Sequence, residues 1–159
     1  MIIKLKGIDE ENFNNYKKTS MILAFPNCSF KCEKECGEQV CQNSTLVTAK
    51  SYDFDIDYIV DKYMSNNISQ SIVCAGLEPF DNWKDLLLLI NAFRLQTDDD
   101  IVIYTGYKKE EILSKIKALK AFPNIIIKFG RFIPNQKKHY DEVLGVELAS
   151  DNQYAERIS

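Results

Sequence analysis

From residue 20 onward the chain alternates short apolar runs with stretches of helical periodicity, and few folds accommodate that alternation. The runs are Ser20–Phe25, Ser71-Ile72-Val73-Cys74 leading into Ala75-Gly76, Ile101-Val102-Ile103-Tyr104 and Ile125-Ile126-Ile127-Lys128-Phe129. Between the first two, Ile56, Ile59, Val60 and Tyr63 fall at i, i+3, i+4 and i+7, one face of a helix. Asp53 or Asp55 can cap its start. A second helix is predicted over residues 82–95, with Asp81 as its cap and Trp83, Leu86, Leu87, Ile90 and Phe93 on a broad apolar face that Leu88 and Leu89 widen. A third is predicted over residues 109–120, with Ile112, Leu113, Ile116 and Leu119 inward and Phe122-Pro123-Asn124 as its end. Strict alternation of this kind is the pattern of a mostly parallel sheet with helical crossovers, an α/β fold. Near-continuous apolar strands imply a sheet covered on both faces.

The flanks are less regular. Ile2-Ile3-Lys4-Leu5 reads as a short strand, and residues 9–18 read equally as a loop or a short helix. Pro79 is expected to stop regular structure after the second apolar run. Beyond Gly130 the chain is polar and irregular, with one short segment at Val143-Leu144-Gly145-Val146. No repeat, low-complexity tract or linker divides the 159 residues, so one domain with one core is expected over 1–159.

Charge and apolar patterning exclude several roles. The formal net charge is -3, which gives no basic surface for nucleic acid. No segment approaches the roughly 20 apolar residues of a membrane span, and the start, Met1-Ile2-Ile3-Lys4-Leu5-Lys6, carries no export signal. A cytoplasmic protein with reduced thiols is the expectation. Its 5 cysteines, an odd number, also argue against a complete disulfide framework.

In parallel sheets chemistry collects at the C-terminal ends of the strands. Three conspicuous segments follow strand ends here: a cysteine-rich loop after Phe25, Gly76-Leu77-Glu78-Pro79, and Tyr104-Thr105-Gly106. The topology therefore predicts that they meet on one rim. The loop holds Cys28, Cys32, Cys36 and Cys41, with gaps of three, three and four residues. Closely spaced thiols in a reducing compartment point to a metal or redox site, and thiolates suit zinc or an iron–sulfur cluster. Structural zinc sites usually use Cys-x2-Cys knuckles, which are absent, and the single histidine, His139, lies far away in sequence. The alternative is a cubane held by three cysteines with one iron open.

Cys28-Ser29-Phe30-Lys31-Cys32 resembles the opening of the radical S-adenosylmethionine motif, Cys-x3-Cys-x2-Cys, and Cys41-Gln42-Asn43-Ser44 resembles its close. The chain is most similar to the small activating proteins of anaerobic ribonucleotide reductase. Those proteins carry Gly-Gly-Glu-Pro where this chain has Gly76-Leu77-Glu78-Pro79, a Tyr-Thr-Gly matching Tyr104-Thr105-Gly106, and a Ser-x-Asn-Gln matching Ser150-Asp151-Asn152-Gln153. The resemblance extends over residues 20–157.

It implies a partial (β/α) barrel of radical S-adenosylmethionine type, a 4Fe-4S cluster and S-adenosylmethionine as cofactors, and oxidoreductase chemistry. In that chemistry one electron from the cluster cleaves S-adenosylmethionine to methionine and a 5′-deoxyadenosyl radical, which abstracts hydrogen from its target. It further implies a glycyl radical enzyme such as anaerobic ribonucleotide reductase as partner and a flavodoxin- or ferredoxin-type electron donor. By the same likeness Cys28, Cys32 and Cys41 hold the cluster, and Gly76, Glu78 and Thr105 line the cofactor site, Glu78 facing the cofactor's ammonium. No catalytic side chain is assigned.

Two departures stand out. Cys32 and Cys41 are separated by eight residues where the family has two, so Cys36 is the alternative third ligand. Leu77 replaces the second glycine. Two other functions fit the same residues: a radical enzyme acting on a small molecule or peptide, and a non-enzymatic zinc or iron–sulfur module. Elsewhere plain readings suffice. Cys74 is a buried small hydrophobe, Trp83 and the leucines beside it are core, and His139 is exposed and inert. Lys4, Lys6, Lys17 and Lys18 are solvated charges.

Overall fold

The computed structural model describes residues 1–28 and 44–159. Cys32, Cys36 and Cys41 lie outside these residues. The elements, numbered among the described residues, begin with β1 (Ile2–Leu5), β2 (Gly7–Asn12), β3 (Ser20–Phe25), α1 (Ser44–Thr48), β4 (Tyr52–Asp55) and α2 (Ile56–Ser65). They continue with β5 (Ser71–Gly76), α3 (Trp83–Arg94), β6 (Asp100–Tyr104), α4 (Leu113–Leu119), β7 (Ile125–Phe129), β8 (His139–Asp141), β9 (Val146–Leu148) and β10 (Tyr154–Arg157).

Six strands form the main sheet, in the order β10-β7-β6-β5-β3-β2. The four apolar runs are its centre, all parallel, with β2 and β10 antiparallel at the open edges. Because β3, β5, β6 and β7 are neighbours in chain order, crossovers of one hand put their helices on one face. There Ile59 and Tyr63 of α2, Leu86, Leu89, Ile90 and Phe93 of α3, and Ile116 and Leu119 of α4 bury Leu23, Phe25, Ile72, Ile103, Ile127 and Phe129. Tyr63 meets Phe93 edge to face at 5.5 Å, a favoured aromatic geometry.

The opposite face presents the alternate residues Ile22, Val73, Val102 and Ile126. Tyr16, Leu144 and Leu148 pack against it, in one cluster with Ala155 of the edge strand β10. Toward the strands' C-terminal ends this face carries Ala24 opposite Ala75 and Tyr104 opposite Lys128. The base of the sheet is clamped by Asp100, whose carboxylate accepts from Tyr16 Oη (2.8 Å), Lys18 Nζ (3.0 Å) and Arg157 Nη2 (3.1 Å). Burial works against the Asp100 charge, but the three donors outweigh it and hold the carboxyl below its usual range. Lys18 is therefore a structural ion-pair partner rather than a merely solvated charge.

Several expectations need correction. Of residues 9–18, residues 9–12 are neither loop nor helix but the end of β2, paired along β3, while 13–18 form the loop that leads to β3. Pro79 does not end regular structure: it opens a 3-10 turn, Pro79–Asn82, whose cap is the Glu78 side chain. Proline suits such a first position because its missing N–H would lack a partner there anyway. Asn82, not Asp81, precedes α3, while Asp55 caps α2 as one of the two candidates, accepting from Asp57 N. The third predicted helix is a 3-10 turn, Lys109–Glu111, followed by the shorter α4, and Leu113 is 58% exposed instead of inward. His139 is half-buried on β8, opposite Leu148. No helix among the described residues is long and apolar enough to cross a membrane.

Candidate functional site

The rim at the C-terminal ends of β3, β5, β6 and β7 is a chain of hydrogen bonds from one loop to the next. It begins where β5 ends. Gly76 has a φ of 87°, and a Cβ there would lie 2.5 Å from Phe25 N and 2.7 Å from Ala24 Cα. Only glycine lets β5 leave the sheet this close to β3. The close approach served by Gly76 is thus to the neighbouring strand, a demand the sequence reading did not foresee.

The loop after Gly76 is joined to the first residues of the cysteine loop. Leu77 N donates to Phe25 O (3.1 Å) and Glu78 N to Asn27 O (3.0 Å). Asn27 Nδ2 donates to Asn82 Oδ1, and Asn82 Nδ2 to Glu78 O, both at 2.8 Å. Glu78 itself is 5% exposed. Its Oε1 accepts from Phe80 N (3.0 Å) and Thr105 Oγ1 (2.9 Å), and its Oε2 accepts from Gly106 N (2.8 Å). Two of the three segments that the sequence places on the rim are therefore bonded through this one carboxyl. Burial pushes its pKa up to about 7 even though all three donors favour the charged form.

Thr105 continues the chain. Its N–H donates to Lys128 O (2.9 Å), and its hydroxyl accepts from Tyr107 N (3.0 Å). Lys128 is 7% exposed, and its Nζ donates to Gly130 O (3.0 Å) and, weakly, to Thr105 O (3.5 Å), beside the Tyr104 ring. Burial lowers its pKa to about 8, while the nearby Glu78 charge opposes that shift. Arg131, just beyond β7, grips Glu111 through two bonds of 2.6 and 2.7 Å and lies over the Tyr107 ring.

The fourth motif closes the chain. Asn152 Nδ2 donates to Arg131 O (2.7 Å), and Gln153 Nε2 reaches Gly130 O (3.4 Å). Gln153 Oε1 accepts from Ala149 N and Ser150 N, and the buried Ser150 hydroxyl bonds Asn152 Oδ1 (2.6 Å). Ser150, Asn152 and Gln153 thus fold over the turn after β7, against the same rim.

Of the proposed cluster ligands, Cys28 is described: it is half-buried and follows Asn27 directly, at the rim. That placement suits a soft metal ligand. Cys74 provides the contrast, since its thiol is wholly enclosed in the core and burial pushes its pKa up to about 12. A thiol that cannot shed its proton cannot ligate, in keeping with the reading of Cys74 as core. Among the described residues no three His, Cys, Asp or Glu side chains gather to hold a metal.

Sequence reasoning missed Lys128, Asn27 and Asn82. Lys128 did leave a signal: it is the one charged residue in the apolar run Ile125-Ile126-Ile127-Lys128-Phe129. The two asparagines left none, because their roles exist only where β3 and β5 lie side by side.

No curated protein and no solved structure matches the chain. A family model described as a 4Fe-4S single cluster domain matches residues 18–154, from the start of β3 through the cysteine loop to the last rim segment. Spanning most of the chain and every element that builds the rim, this match shows that the protein belongs to the 4Fe-4S single cluster domain family.

Proposed function

We propose that this iron–sulfur protein is a radical S-adenosylmethionine enzyme of partial-barrel type that generates a glycyl radical on a partner enzyme in the cytoplasm. An anaerobic ribonucleoside-triphosphate reductase is the partner that fits best, with a flavodoxin or ferredoxin as electron donor. The observation that carries this reading is the rim: the loop bearing Cys28, the Glu78 segment, Thr105-Gly106 and Ser150–Gln153 form one hydrogen-bonded array. Sequential parallel strands with α2, α3 and α4 on one face also suit a sheet that curls into part of a barrel.

In this reading Cys28, with Cys32 and Cys41, holds the cluster, which supplies one electron to a sulfonium and so starts radical chemistry. Glu78 binds the amino group of S-adenosylmethionine. A carboxylate has about four acceptor positions, and three are taken by Phe80, Thr105 and Gly106, so one remains for the ligand. Thr105 and Gly106 hold the carboxyl in place, which fixes its direction before the ligand arrives. Ala24 and Ala75, small and half-buried, lie side by side on the sheet face away from the helices.

The test is anaerobic reconstitution of the full chain with iron and sulfide, reduction with dithionite, and addition of S-adenosylmethionine. Release of 5′-deoxyadenosine and methionine is expected. A fully loaded, reduced protein that releases neither would sink the reading. A glycyl radical signal on the anaerobic reductase, absent without this chain, would identify the partner. Turnover on a peptide or small molecule instead would move the protein to another branch of radical chemistry.

A further inference from the structure

Asn82 occupies the position from which a side chain normally caps a helix. It precedes Trp83, the first residue of α3, and asparagine is favoured there because its oxygen can accept from a free first-turn amide. Yet the Asn82 side chain makes no cap bond. Only 8% exposed, it serves two rim loops instead. Nδ2 donates to Glu78 O at 2.8 Å and to Asn27 O at 3.4 Å, while Oδ1 accepts from Asn27 Nδ2 at 2.8 Å. Asn27 O also accepts from Glu78 N at 3.0 Å. That carbonyl belongs to the peptide whose N–H is that of Cys28. A peptide is planar, so two donors on its oxygen fix the direction in which the chain enters Cys28. The anchor behind this grip is firm. Leu86, Leu89, Ile90 and Phe93 of α3 are buried in the core, and so is Phe80 of the 3-10 turn before it.

We propose that Asn82 is a positioning residue of the cluster site, holding the Asn27–Cys28 peptide so that the Cys28 thiolate is presented to iron in register with the Glu78 segment. The inference rests on the reading of Cys28 as a cluster ligand and adds the residue that orients it. Asn82 acts through Asn27, in the way that hydrogen-bonded outer partners orient the ligands of metal sites. An amide suits the task because it donates and accepts at once. A carboxylate in its place would release both carbonyls. A serine hydroxyl lies one bond nearer the backbone and has a single proton, so it cannot hold both.

The experiment loads the full chain anaerobically with iron and sulfide, as wild type, Asn82→Ser, Asn27→Ala and the double variant. It follows the cluster's visible absorbance and the release of iron to an excess of chelator. Serine caps helices as well as asparagine does, so Asn82→Ser preserves the start of α3 while removing the grip on Asn27 and Glu78. Loss of an outer partner weakens metal binding about 10- to 100-fold, so iron should leave Asn82→Ser at least about tenfold faster than wild type. Asn27→Ala, at an exposed position, should show a smaller acceleration. The double variant should lose iron no faster than Asn82→Ser, because the two residues act as one pair. Leu119→Ala, at the end of α4 remote from the rim, weakens the core without touching these loops and should release iron at the wild-type rate. Release from Asn82→Ser at the wild-type rate would overturn the proposal. So would equal acceleration in Asn82→Ser and Leu119→Ala, which would make Asn82 a stability residue, or additive effects in the double variant. If Asn82→Ser loads no cluster, Asn27→Ala decides: faster release supports the proposal and wild-type release overturns it. A Cys28→Ala protein that loads and keeps a complete 4Fe-4S cluster would instead fell the ligand reading on which the inference stands.

Discussion

Glu78 shows how one side chain can carry two demands. It caps the turn that starts at Pro79, and it joins that turn to Thr105 and Gly106. Enclosing it raises its pKa from 4.5 to about 7. The folded state then binds the Glu78 proton more tightly than the unfolded chain does. The stability this contributes is full below pH 4.5 and is lost as pH rises toward 7. Lys128 acts in the opposite window: its pKa falls from 10.5 to about 8, so the folded state gains stability as pH rises through that range. Urea unfolding of the apo-protein between pH 5 and 8 should show a decline of up to about 3 kcal/mol from Glu78. The Glu78→Gln variant should lack that component. A variant whose pH profile overlays the wild type's would show that Glu78 does not titrate in this window.

At the scale of elements, Gly76 sets how β3 and β5 part at the rim. Gly76→Ala places a side chain at a φ of 87° and against the Phe25 and Ala24 backbone. The left-handed conformation costs roughly 1–2 kcal/mol, and overpacking adds about 1–3 kcal/mol. A loss of about 2–5 kcal/mol in denaturant unfolding is expected, together with lower iron uptake, since the Cys28 loop starts from the strand that must move. Near-wild-type stability and loading would mean that β3 and β5 part without difficulty. The central strands were legible in the sequence because Ile, Val and Leu declare a sheet buried on both faces wherever they run together. The edge strands β2, β4 and β10 were not. Gly7–Asn12 and Tyr52–Asp55 are polar, and Tyr154–Arg157 buries only Ala155, so their extended form comes from the strand alongside rather than from their own pattern. The break at Ile112 was hidden for a related reason, since its helical spacing persists while the backbone changes pitch.

For the whole molecule, the sequence placed three loops on one rim through topology alone, and the structure adds the bonds between them. Lys128 remained outside that foresight because a lysine in a strand can equally well reach out to water. Cluster loading is the property that tests the assembled protein. Loaded anaerobically, the chain should be brown and should bleach in air, because an iron not fully enclosed by thiolates is open to oxidants. Cys28→Ala, Cys32→Ala and Cys41→Ala should each abolish the absorbance, while Cys36→Ala and Cys74→Ala keep it. Retention in Cys41→Ala with loss in Cys36→Ala would exchange the third ligand, and a colourless protein with one bound zinc would remove the radical reading altogether.

The linked rim also has a mechanical consequence. Among the described residues each rim segment, from Asn27 onward, gives its neighbour a hydrogen bond, so the segments are coupled in series. If the Asn27–Asn82 pair opens, the Glu78 main chain loses anchors, and Thr105, Gly106, Gly130 and finally Gln153 feel the loss in turn. Loops far apart in sequence therefore share a single opening free energy, and the rim breathes as one body or stays shut.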